Sequence, residues 1–146
     1  MTKTGLVARK STTIHAPPAK VWEALTNPEL IKKYLFGTET TSDWKVGSSI
    51  TYRGVWQGKS YEDKGKILQI VPERILQSTY WSSMRGLEDT PENYAIVTYE
   101  LEPVEGNRTR LSVTQENIDS EEEREHSESN WGMVLEAMKK LLEERS

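Results

Sequence analysis

The side chains with most chemistry to offer in this 146-residue chain are aromatic. Tyr52, Trp56, Tyr61, Tyr80 and Tyr99 recur in stretches that read as strands, while Trp22, Tyr34 and Trp131 sit in stretches of helical spacing. Tyrosine and tryptophan pair an apolar body with a polar tip, so they can fill a core or line a binding cavity. Acid–base and metal chemistry have less to work with. The only histidines, His15 and His126, are far apart, and each reads as a surface residue: one at a strand end, the other within EEEREHSE. There is no cysteine, hence no disulfide framework, thiolate metal site or cysteine nucleophile. Neither a glycine-rich phosphate loop, a metalloprotease helix nor a nucleophile elbow occurs, and nothing selects a dispersed serine triad. No catalytic residue, metal site or cofactor is assigned.

Composition narrows the partners. The length suits one domain over 1–146. Hydrophobic residues are 35% and charged residues 29% of the chain, so any core must come from well-patterned amphipathic elements. A net charge of −4 speaks against nucleic acid as a partner. No stretch approaches the roughly 20 apolar residues of a membrane span, and MTKTGLVARKSTTI lacks the apolar run of a signal peptide. A cytoplasmic protein is the expectation.

The elements that would position the aromatics can be read along the chain. Residues 6–15 are rich in β-branched types and form a first strand, which Pro17 and Pro18 end because neither donates to a sheet ladder. Proline is tolerated at the first helical positions, so PPAKVWEAL opens a short helix carrying Val21, Trp22 and Leu25 on its apolar side. TNPE starts a second helix, capped by Thr26 with Glu29 or by Asn27, with Leu30, Ile31, Tyr34 and Leu35 inward and Gly37 as a left-handed stop. From residue 38 to 117 the period is two. SSITYRGVW sets Ile50, Tyr52, Gly54 and Trp56 on one face; YAIVTYELEP does the same with Ala95, Val97, Tyr99 and Leu101. TRLSVTQEN follows with Leu111, Val113 and Gln115. Gly65, inside another strand, marks a bulge or a close approach. This pattern is an antiparallel sheet wet on one side. Ser120 and Glu123 then cap a helix of about 25 residues with Trp131, Val134, Leu135, Met138, Leu141 and Leu142 on one stripe. Lys139, Lys140 and Arg145 near its end suit the helix dipole.

Strand, two short helices, antiparallel strands and a long terminal helix is the helix-grip order, an α+β fold. TIHAPPAKVWEALTNPELIKKYL, GKILQIVPERIL, NRTRLSVTQEN and NWGMVLEAMKKLLE resemble the domain shared with activators of the Hsp90 ATPase, in the START-like (SRPBCC) superfamily. The resemblance covers nearly the whole chain and implies a protein that holds a hydrophobic small molecule between sheet and helix. It also raises an Hsp90-type chaperone as a partner. The chaperone activators carry an additional N-terminal domain that 146 residues do not hold, which weakens that expectation.

The expected site lies where one long helix fails to fill the concavity of a curved sheet. Tyr99 and Val97, with Ile67, face the stripe of Trp131, Leu135 and Met138. At 100° per residue Arg124 and Ser127 continue that stripe, either as polar groups at the cavity mouth or as an overhang into solvent. Residues 82–93, SSMRGLEDTPEN, form a polar loop that could act as a lid. The leading expectation is noncatalytic binding of an aromatic or lipid-like molecule. The alternatives are a cyclase- or hydrolase-type enzyme using Tyr80, Tyr99 or Arg124, and an interaction module serving a chaperone. A carboxylate or histidine inside the cavity would favour the enzyme.

Overall fold

A computed structural model describes residues 6–35, 37–56, 58–82, 88–118 and 120–144. β1 (Leu6–Ile14) is followed by α1 (Pro18–Thr26) and α2 (Pro28–Tyr34), then β2 (Glu39–Ser42), β3 (Ser49–Trp56), β4 (Lys59–Val71) and β5 (Ile75–Ser82). β6 (Ala95–Val104), β7 (Arg108–Ile118) and α3 (Glu121–Glu144) complete the order, with a 3-10 turn at Pro91–Asn93. The strands form one antiparallel sheet in the order β1-β7-β6-β5-β4-β3-β2. The helix-grip α+β architecture is as expected.

The proline pair acts at the β1–α1 junction. Pro17 is extended and serves as the N-cap, so Pro18 starts α1 with no amide left unpaired. α2 begins at Asn27, whose side chain accepts from the Glu29 amide at 3.0 Å. Thr26 is not the cap: its hydroxyl turns back to donate to the Trp22 carbonyl. Gly37, at φ +91°, ends the helix as a left-handed residue. Val21, Ala24 and Leu25 are the buried side chains of α1. Trp22 is only half-buried and packs at the margin of the core, not at the centre of the plug.

The sheet's inner face has two halves of different character. Under the helices, β1, β7 and β6 contribute Ile14, Leu111, Val113 and Leu101, which pack with Val21, Ala24, Leu135, Met138 and Leu142. Across β5 to β2 the inner face is polar and aromatic: Ser78, Tyr80, Ser82, Asp63, Tyr52 and Thr40.

α3 packs chiefly along β1, the sheet's edge strand, which explains this division. Its side chains take up main-chain groups of that edge. Glu128 accepts from the Arg9 amide at 3.2 Å, Glu143 from the His15 amide at 2.9 Å, and Lys139 donates to the Thr13 carbonyl at 2.8 Å. An uncovered edge strand would offer these groups to another chain. α1 and α2 lie toward β6, β7 and β2, so the middle of the concave face has less helix above it.

Among the described residues no helix is long and apolar enough to cross a membrane.

Candidate functional site

On the inner face of β3 and β4, Tyr52 stands directly across from Asp63, and Thr40 of β2 across from Tyr52. Asp63 in turn is opposite Ser82 of β5. Tyr80, two residues before Ser82 and so on the same face, donates its hydroxyl to Asp63 Oδ2 at 2.6 Å. Its ring meets that of Tyr52 edge-on, with centroids 6.0 Å apart. Farther toward β7, the rings of Tyr99 and Trp131 meet edge-on at 5.8 Å, and the Trp131 indole N–H donates to Gln115 Oε1 at 2.9 Å. Ser78 and Val97, paired across β5 and β6, form a buried floor between the two aromatic pairs.

Two properties of these tyrosines combine informatively. Burial pushes the hydroxyls of Tyr52, Tyr80 and Tyr99 well above the ordinary tyrosine range; the neighbouring Asp63 charge adds to the shift at Tyr52 and Tyr80. Protein therefore surrounds them. Yet all three, and Trp131, keep accessible surface, whereas Leu111 and Val113 keep none. Close packing removes surface altogether, so these side chains are not wholly packed.

The polar groups beside these rings are incompletely satisfied. Asp63 is 9% exposed, and its Oδ1 is buried without a hydrogen-bond partner, as is Thr40 Oγ1. Buried polar atoms are nearly always paired. A neighbouring pair is complete: Thr38 and Tyr61 share a hydrogen bond at 2.6 Å, and the Tyr61 ring lies over Gly54, where a Cβ would come within 2.5 Å of its hydroxyl.

Most of the aromatic residues expected from sequence converge here, but not all of the expected set. Tyr52, Tyr80, Val97, Tyr99 and Trp131 share the inner face, with Ile67 buried opposite Ser78. Tyr34 is fully enclosed and donates to the Ala24 carbonyl at 2.8 Å, locking α2 against α1. Leu135 and Met138 are deep core residues, at 2% and 0% exposure, packed and not lining open space. Trp22 lies at the margin of the core, and the Trp56 side chain lies outside what is described. Arg124 is committed to its own helix, paired with Glu121 and, at 2.9 Å, with Glu128; Ser127, one turn on, is half-buried. Of the expected lid, residues 83–87 lie outside the described residues. Its later part is fastened down: Trp81 and Asn93 both donate to the Glu88 carbonyl, and Asp89 pairs with Lys64 and Tyr94. Asp63, Ser78 and Ser82 were not expected from sequence.

Open depressions exist elsewhere, one on the outer face around Arg9, Gln77, Thr98, Glu100 and Thr114, another at the β3–β4 hairpin around Arg53 and Glu62. Both are broad and open to solvent; neither gathers aromatic side chains as the inner face does. Among the described residues no group of three histidine, aspartate or glutamate side chains is placed to hold a metal.

An open antiparallel sheet gripping a long C-terminal helix, with aromatics at its centre, defines the START/SRPBCC class, whose members commonly bind ligands. The model of one family within it, "Activator of Hsp90 ATPase homolog 1-like protein", matches residues 15–143, and the chain belongs to that family. Among solved structures, ChR145 from Cytophaga hutchinsonii is 49% identical, with a TM-score of 0.83 over 96% of this chain and 95% of that one. The Aha1 dimer of Colwellia psychrerythraea is 22% identical, with a TM-score of 0.74 and coverage of 94% and 96%. An HSP90 activator from Plasmodium falciparum is also 22% identical, with a TM-score of 0.64 and coverage of 78% and 74%. The last two likenesses are of fold alone. No curated protein matches the chain.

Proposed function

We propose that this protein binds a small, largely apolar molecule with an aromatic or lipid-like body in the recess over β3–β6. The observation that carries the proposal is the gathering of Tyr52, Tyr80, Tyr99 and Trp131, each with surface left exposed, on one inner face beside the unpartnered Asp63 Oδ1. Apolar walls with a few placed polar groups are the usual composition of a ligand site. The recess is centred on the polar-aromatic half of the sheet and not beneath Leu135 and Met138.

The test is a titration with 2-(2-naphthyl)ethanol, a neutral bicyclic probe, followed through aromatic and methyl signals. Tyr52, Tyr80, Tyr99 and Trp131 should shift together, while Ile14 and Leu142 stay put. Saturation at about a hundredfold excess over the dissociation constant should add roughly 2.7 kcal/mol of stability. Shifts confined to the outer depression near Gln77 and Thr98, or none at all, would refute the proposal.

An enzymatic reading has one specific observation in its favour, the inward carboxylate of Asp63. Turnover would require Asp63 or Tyr80 within hydrogen-bond reach of a reacting atom. A bound molecule recovered unchanged after prolonged incubation would count against it.

A further inference from the structure

The β4 segment Tyr61-Glu62-Asp63-Lys64 alternates between the two faces of the sheet, which sorts its charges. Glu62 pairs with Arg53 on the outer face at 2.7 Å, and Lys64 on that same face pairs with Asp89 and lies over the Trp81 ring. Asp63 turns inward alone. Its Oδ2 accepts from Tyr80, its Oδ1 from nothing, and among the described residues no cation pairs with it. A carboxylate withdrawn from water with half its acceptor capacity unused is costly. The deficit is met by a donor brought from outside, and most fully by a charged one.

The surroundings choose between kinds of donor. Tyr52 stands across the strand pair from Asp63 and meets Tyr80 edge-on, so aromatic rings border the carboxylate. Ring faces attract an ammonium. A ligand carboxylate or phosphate would instead meet the like charge of Asp63 at short range. The partly exposed rings of Tyr99 and Trp131, farther along the same inner face, supply apolar surface for a hydrocarbon body. From this we infer that the ligand class is a primary amine on an aromatic or alkyl body, its ammonium set against Asp63 Oδ1. The inference rests on the recess being a ligand site, as proposed above.

The experiment compares 2-(2-naphthyl)ethylamine with the neutral 2-(2-naphthyl)ethanol on the full chain at neutral pH, observing aromatic signals and side-chain carboxyl carbons. The amine should bind at least about 10-fold more tightly, as a charge-assisted hydrogen bond implies, and should move the Asp63 carboxyl signal. Asp63→Asn keeps the size of the side chain and an acceptor for Tyr80 but removes the charge. It should abolish the amine's preference over the alcohol. Equal affinities in the native chain, with both probes shifting Tyr52 and Tyr80, would overturn the amine assignment and leave the recess standing. Binding of neither would overturn both. Should Asp63→Asn fail to fold, the native chain still decides, because tighter amine binding with a silent Asp63 carboxyl would also overturn the assignment.

Discussion

Tyr34, Tyr52, Tyr80 and Tyr99 hold their hydroxyl protons more tightly than free tyrosine does, first because burial disfavours the phenolate, and then because of neighbouring tyrosines or Asp63. Their pKa values in the folded state are therefore raised above the unfolded value near 10. Below that pH both states keep the protons, and the folded protein has its full stability. Above it the unfolded chain loses protons first, so stability falls as pH rises. Melting temperature should be flat with respect to these groups near neutrality and decline above pH about 10. Tyrosinate absorbance should then appear together with unfolding. Tyrosinate from these four residues well before the unfolding transition would show that their enclosure has been overstated.

At the scale of elements, close approach and core depth set the costs. The β4–β5 backbones come so near at Gly65 that a Cβ there would sit 1.7 Å from the Thr79 carbonyl oxygen. The register shift of this strand pair follows shortly after, between Ile67 and Gln69. Gly65→Ala must push main chain aside, and the expected loss is about 3 kcal/mol or more by denaturant unfolding. A loss within the ~0.5 kcal/mol of a surface change would contradict this approach. In α1 the ranking of side chains differs from a reading based on size. Leu25→Ala should cost about 2–5 kcal/mol as a buried truncation, and Trp22→Ala less, because Leu25 is 3% exposed while Trp22 is half-buried. Equilibrium unfolding of the two variants tests the order; a larger loss for Trp22→Ala would reverse it.

What the sequence revealed and what it hid also divides by element. The alternation of Ile50, Tyr52 and Gly54, or of Ala95, Val97, Tyr99 and Leu101, contrasts apolar with polar, so the inward face could be read directly. Asp63 sits between two charged neighbours, where a period of two carries no hydrophobic contrast. Its burial depends on Tyr80, 17 residues away on another strand. Arg124 illustrates the opposite error. Helical projection put it on the apolar stripe, but Glu121 and Glu128 at i−3 and i+4 claim the guanidinium first. The stripe itself was read correctly in Leu135, Met138 and Leu142, whereas the sideways placement of α3 over β1 was not available from periodicity. That placement is why the proposed recess lies toward β3–β6.

For the molecule as a whole, the helix that closes the core also secures the sheet's first strand through side chains, and those contacts differ in kind from a strand ladder. The His15 amide is held by a carboxylate whose pKa is lowered, first by that amide and then by Lys139. Amide hydrogen exchange should register the difference. Protection at His15 is tied to a titrating group, so it should persist through neutral pH and fade only once pH falls below the ordinary glutamate range. Glu143→Ala should speed exchange at His15 on the order of tenfold or more by local opening alone. By strand alternation the amides of Lys10 and Thr12 face β7, and their exchange should be unchanged. Uniform acceleration along β1 would mean that the strand and the helix open as one unit. Selective loss at His15 would make the end of this strand a local reporter of side-chain charge, separable from the global unfolding that the β7-facing amides of Lys10 and Thr12 report.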